Sequence, residues 1–113
     1  MKIKGIDKNT SIVTDTDGSK NSPTEYRFDL IPPLALFSIA ENLKRGAEKY
    51  GDHNWEKAGV GGINKNINKA IIHLYAYLNG DRQDDHICHA ATRLMFALKF
   101  FLDIEEDKKW DVL

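Results

Sequence analysis

The chain has 113 residues, 42% of them hydrophobic and 29% charged, with a formal net charge of −1. That length suits one domain with one modest core, and the balanced charge argues against a surface built to coat duplex nucleic acid, which needs a basic excess. No apolar run approaches the ~20 residues of a membrane span, the N-terminus lacks the apolar core of a secretory signal, and Cys88 stands alone, so a reducing, cytoplasmic setting is expected.

Only Met1, Ile3, Ile6, Ile12 and Val13 are apolar among the first 25 residues. This predicts a polar N-terminal arm over 1–25, ahead of a single helical domain over 26–113. Residues 2–6 and 11–14 could pair as a short hairpin, which would need to dock on something to persist. Asp15-Thr16-Asp17-Gly18 has the opening of a calcium loop but lacks its sixth-position Gly and twelfth-position Glu, so it reads as a solvated turn.

Three helices follow, at about 34–50, 63–79 and 85–104, an all-α bundle. Pro32-Pro33 suits a helix start. Leu36, Ile39, Ala40, Leu43, Ala47 and Tyr50 then recur at helical spacing, and Gly51 supplies the stop. Gly46, inside this helix, suggests that something packs close to its backbone. Residues 51–62 hold four glycines and read as an irregular, flexible connection. Ile63, Ile67, Ala70, Ile71, Leu74 and Leu78 mark the second helix, closed by Asn79-Gly80. Asp84 is the expected N-cap of the third, with Ile87, Ala90, Ala91, Leu94, Leu98, Phe101 and Leu102 on one face. These apolar stripes are wider than three helices can cover, so a homo-oligomer is expected.

Two stretches place polar side chains near helix ends. In the first, Glu41 and Glu48 lie two helical turns apart and can face one site. Lys49 offers a compact cation for phosphate. Asp52 and His53 follow the helix end, and Asn54 and Trp55 pair a bidentate amide with a stacking surface suited to a nucleobase. The plainer reading is a helix C-cap followed by a Trp that pins the loop. In the second stretch, Asp85 and His89 are four apart and His86 and His89 three apart, a workable half-site for a divalent metal on one helical face. The plainer reading is an acidic first turn with two half-buried histidines. Cys88 reads as a small buried hydrophobe.

The stretches Arg27-Phe28-Asp29-Leu30-Ile31-Pro32-Pro33 and Gly46-Ala47-Glu48-Lys49-Tyr50-Gly51-Asp52-His53-Asn54-Trp55 are followed by His73-Leu74, Gly80-Asp81 and His86-Ile87-Cys88-His89-Ala90-Ala91. In that order they resemble the blocks of the phage dATP/dGTP diphosphohydrolase domain of the MazZ type, over about residues 26–102. Ile72 stands where that family often has Arg. The resemblance implies an all-α, MazG-like nucleotide pyrophosphohydrolase, a dimer or tetramer in the host cytoplasm. It would use Mg²⁺ or Mn²⁺ to split a purine deoxynucleoside triphosphate into monophosphate and pyrophosphate.

Joined to the residue reading, the resemblance assigns the metal to Glu41, Glu48, Asp85 and His89, and catalysis to Glu48, Lys49 and Asp85. Substrate contacts fall to Lys49, Asp52, His53, Asn54, Trp55, His73 and His86. Metal ions would neutralise the triphosphate and activate water for attack at the α-phosphorus. Neither nucleic acid nor membrane is an expected partner. Two alternatives stay open: a His-Asp type metal phosphohydrolase built on His73, Asp85, His86 and His89, and a catalytically silent helical module that binds a nucleotide or a protein.

Overall fold

The computed structural model describes residues 12–22 and 26–112, with side chains through Glu106. It divides into two units, Met1–Pro32 and Pro33–Leu113.

In the first unit, β1 (Val13–Thr14) and β2 (Lys20–Asn21) pair antiparallel, Val13 opposite Asn21 and Thr14 opposite Lys20. The strand pair therefore spans the Asp15–Ser19 turn, with β2 falling where no strand is expected. The expected partner strand at residues 2–6 lies outside the described residues. Gly18, at φ +87°, lets the chain reverse. The Asp17 carboxylate accepts from the Ser19 backbone N–H at 2.9 Å and from the Ser19 hydroxyl at 2.7 Å. These bonds, the hydroxyl's first, hold Asp17 below the usual carboxylate range. Further on, a 3-10 turn covers Phe28–Leu30, braced by a two-pronged ion pair from Arg27 to Asp29 at 2.9 and 2.7 Å.

The second unit holds α1 (Pro33–Tyr50), α2 (Gly62–Leu78) and α3 (His86–Val112). Helix α1 starts on Pro33, whose absent N–H would be unpaired in a first turn anyway. It stops at Gly51, which takes φ +100° while its N–H reaches the Ala47 carbonyl at 2.8 Å. Helix α3 starts at His86 rather than around Asp84. Its first backbone bond runs from His89 N–H to the Asp85 carbonyl at 3.0 Å, which puts Asp85 in the capping position. No helix among the described residues is long and apolar enough to cross a membrane.

The packed surfaces coincide with the expected ones only in part: Ile39, Leu43, Ala47, Ala70 and Ala90 turn inward as expected, and many of their expected companions do not. On α1 the half-buried stripe is Ser38, Ile39, Asn42, Leu43, Gly46 and Ala47, while Leu36, Ala40 and Tyr50 are exposed. On α2 the buried line is Gly62, Asn66 and Ala70, while Ile67, Ile71, Leu74 and Leu78 face outward. On α3, His86, Cys88, Ala90, Thr92, Phe96, Ala97 and Phe100 are buried, while Ile87, Leu94, Leu98 and Phe101 are about half exposed. Small residues explain the choice, because they let helix axes approach. A methyl group on Gly62 would come within 2.7 Å of the Ala58 side chain and 3.1 Å of Phe100. Gly46, by contrast, has open space where a Cβ would stand, so no neighbour presses on it.

Polar side chains complete these contacts. Asn42 donates to the Thr92 hydroxyl at 3.0 Å, and that hydroxyl donates to the Cys88 carbonyl at 2.9 Å. The Cys88 thiol points at the Ser38 carbonyl, 3.3 Å away, and is buried and unbridged. Asn66 donates to the Gly62 carbonyl and accepts from Arg93. The connection expected to be irregular is instead two turns of 3-10 helix over Asn54–Gly61, broken at Gly59 (φ +56°). It is anchored by Trp55, which lies flat on Phe96 with centroids 4.2 Å apart and tilts against Phe100 at 5.7 Å.

Candidate functional site

A tight reversal joins α2 to α3 and sets histidines from the two helices face to face. Asn79 and Gly80 return N–H bonds to the Tyr75 and Tyr77 carbonyls, with Gly80 at φ +94°. Arg82 lies over the Tyr77 ring, 4.0 Å from its centroid, and donates to the Tyr77 and Asp81 carbonyls at 2.9 Å each. The reversal is therefore held at both ends by one guanidinium.

Inside it, His86 is only 8% exposed. Its Nε2 lies 2.6 Å from Asp81 Oδ2 and its Nδ1 lies 2.9 Å from His73 Nδ1. An ionised carboxylate only accepts, so the proton sits on His86 Nε2. In the neutral ring Nδ1 then carries a lone pair, and the proton between the two rings belongs to His73. The His86 hydrogen bond holds Asp81 below the usual carboxylate range. Burial, followed by the neighbouring His89, holds the His73 imidazole below its ordinary value and favours its neutral form. His89 stacks on His73, centroids 5.0 Å apart and planes 15° from parallel, and its Nε2 meets Asp84 Oδ1 at 3.1 Å. His73, Asp84 and His86 each bring one ligand atom within 4.8 Å of the others, the one such group of metal-capable side chains among the described residues.

His89 also forms part of a second feature, a cleft of about 870 Å³. Its walls are the second half of α1, the turn from Gly51 to Trp55, Lys69 on α2, and His89, Thr92, Arg93 and Phe96 on α3. Five permanent cations line it, Lys44, Arg45, Lys49, Lys69 and Arg93, against one carboxylate, Asp52. Arg45 is engaged by Glu41 at 3.1 Å and Arg93 by Asn66 at 3.3 Å. Such an excess of positive charge in a concave site suits a polyanion. His53 sits in the left-handed region at φ +58° and meets Glu56 at 3.0 Å, which turns the chain from α1 into the Trp55 segment.

The structure divides the expected site residues between these features. Lys49, Asp52, His53, Asn54, Trp55 and His89 line the cleft. His73 and His86 stand in the ring cluster with His89. Glu41 and Glu48 are exposed on α1 and do not line the cleft, and Asp85 is exposed at the start of α3. Glu41, Glu48, Asp85 and His89 are not among the metal-capable groups gathered within the described residues of one chain. The carboxylates that meet the clustered histidines are Asp81 and Asp84. Lys44, Lys69 and Arg93 also go unmarked by motif reading. Spacing holds a signal for two of them, since Lys69 lies four before His73 and Arg93 four after His89, one helical turn from each ring.

No curated protein and no solved structure matches the chain. A family model described as dATP/dGTP diphosphohydrolase, N-terminal, matches residues 15–109, which takes in α1, α2, all but the last residues of α3 and every residue of both features, and the chain belongs to that family.

Proposed function

We propose that the chain is a nucleoside triphosphate diphosphohydrolase acting on dATP and dGTP, as the family's description suggests. The observation that carries this reading is the position of His89, which borders the cationic cleft and stacks on the histidine cluster. The triphosphate lies along Lys44, Lys49, Lys69 and Arg93, whose charge offsets that of the phosphates and of the leaving pyrophosphate. Asp52 and Asn54 offer polar contacts to base and sugar. Trp55 gives one ring face to Phe96, so it shapes the base end of the cleft as a fixed wall.

Water adds at the α-phosphorus, the bond from that phosphorus to the bridging oxygen breaks, and pyrophosphate leaves with that oxygen. His89, at the edge of the cleft, takes the water's proton. A divalent cation, Mg²⁺ or Mn²⁺ in the expectation above, would neutralise phosphate charge in such a reaction. The large outward apolar side chains, Tyr75 and Leu78 on α2 and Leu98 and Phe101 on α3 among them, support a homo-oligomer as the working form.

The test is pyrophosphate release from each of the eight common nucleoside triphosphates with either cation. dATP and dGTP should lead. Lys49→Ala and Arg93→Ala should each raise KM on the order of tenfold and flatten the salt dependence. Absence of turnover with every nucleotide, or turnover untouched by both changes together, would overturn the reading. A second reading, a His-Asp type metal phosphohydrolase, draws on the His73–Asp84–His86 cluster. It would release inorganic triphosphate or orthophosphate in place of pyrophosphate.

A further inference from the structure

We propose that His73, Asp84 and His86 form a binding site for a single divalent transition ion, with Asp81 and His89 as the residues that orient its ligands. That the ion binds stands on geometry alone; what it does for catalysis rests on the diphosphohydrolase reading. The geometry begins with the two facing nitrogens. His73 Nδ1 and His86 Nδ1 are 2.9 Å apart. Two imidazole nitrogens ~2.1 Å from one ion stand roughly 3.0 Å apart at a right angle and roughly 3.4 Å at a tetrahedral one. The nitrogens thus already stand at the spacing of neighbouring ligands, and an ion that replaces the proton lies to one side of the line joining them, reached by a rotation of the two rings.

The surrounding bonds favour the same arrangement. Asp81 Oδ2, at 2.6 Å from His86 Nε2, holds the proton on that nitrogen and turns the lone pair of Nδ1 toward His73. A carboxylate behind a ligating imidazole is the usual way proteins fix a metal-binding tautomer. Asp84 is held in a comparable way. Its Oδ1 meets His89 Nε2 at 3.1 Å and the Asp85 N–H at 2.8 Å, which leaves Oδ2 to serve as the third ligand. Two nitrogens and one oxygen with no fourth side chain in the group leave the ion positions open for water or a phosphate oxygen. Imidazole donors select zinc, cobalt, nickel, iron or manganese over magnesium, which prefers an all-oxygen shell. His89 links this site to the cleft, since it lines the one and stacks on His73 in the other.

The experiment is calorimetric titration of the chelator-stripped, tag-free chain with Zn²⁺ alone, and Co²⁺ absorption as an independent readout. One equivalent should bind, with a Co²⁺ visible band typical of mixed nitrogen and oxygen donors, and millimolar Mg²⁺ should not displace it. Asp84→Asn and His73→Ala should each weaken binding at least 100-fold, and Asp81→Asn by 10- to 100-fold. Asp84 is exposed, so its variant tests the site without risk to the fold, and circular dichroism checks His73→Ala. Failure to bind one equivalent, or binding unchanged in Asp84→Asn and Asp81→Asn, overturns the proposal. Stoichiometric binding without nucleotide turnover upholds the site and removes the diphosphohydrolase reading, so the two failures are distinguishable.

Discussion

Trp55 lies flat on Phe96, ring centroids 4.2 Å apart and planes 9° from parallel. This one contact ties the segment after α1 to the centre of α3, and the same indole forms a wall of the cleft. Parallel aromatic pairs contribute about 0.5–1.5 kcal/mol beyond the area they bury. Trp55→Phe should therefore lower stability by about 1 kcal/mol, and Trp55→Ala by roughly 2–4 kcal/mol, read from urea denaturation followed by circular dichroism. The Ala variant should also lose nucleotide affinity, because the Asp52–Asn54 turn loses its anchor.

Acid should weaken the fold in two stages. His73 is held below its ordinary value of 6.5, chiefly by burial, so the folded state prefers the neutral ring. The unfolded chain binds that proton more readily, hence stability is present above pH 6.5 and declines as pH falls through the lowered value. Asp81 is held below its ordinary 3.8 by the His86 hydrogen bond, and its contribution is lost by the same sign at lower pH. Urea midpoints should drop from pH 7.5 to pH 5.5, and His73→Gln should flatten that first decline.

The two helical glycines should respond in opposite directions. Gly46 has free space at its Cβ position and lines the cleft. Gly46→Ala should raise stability by roughly 0.5–1 kcal/mol through helix propensity, while its methyl group intrudes on the ligand and raises KM. Gly62→Ala meets Ala58 at 2.7 Å and should cost about 1–3 kcal/mol, since an overfilled contact forces backbone to shift. Thermal melts and pyrophosphate kinetics on the two variants separate these effects.

Thr92 accepts from Asn42 and donates to the Cys88 carbonyl. Thr92→Val keeps the volume and removes the acceptor, leaving the Asn42 amide without its partner at a part-buried interface. A loss of about 1–2 kcal/mol is expected. Asn42→Leu in the Thr92→Val background should recover part of it, because both halves of the polar pair are then gone. A double-mutant cycle on urea midpoints measures the coupling.

The helices themselves are legible from periodicity, glycine stops and the Pro32-Pro33 start; α1 and α2 lie within a residue or so of their expected places, while α3 runs to Val112, eight residues past its expected end, because the apolar pattern that marks a helix fades before the helix does. Their packed faces are legible only in part, because periodicity finds the strongest apolar stripe and this unit packs on its small and polar ones. Ala70 meets both descriptions; Leu78 and Ile87 meet only the first. The site is legible to the same partial degree. His73, His86 and His89 are marked by the family block order, and His86 and His89 by their helical spacing as well. Asp81 and Asp84 lie in a reversal whose path depends on Gly80 and Arg82, and no spacing rule carries a side chain across such a turn. Lys69 reaches the cleft from another helix, a relationship that exists only after packing.

Helix α1 has no fully buried residue, and its cross-bonds to α3 run through Asn42 and the Ser38 carbonyl. The α2–α3 hairpin is local in sequence and carries the whole histidine cluster, so its amides should exchange more slowly than those of α1. One side of the cleft, α1, is therefore held by fewer buried contacts than the hairpin that carries the rings. A polyanion that bridges Lys49 to Arg93 should then slow the amide exchange of α1 before that of either other helix, an outcome hydrogen exchange with and without ligand reads directly.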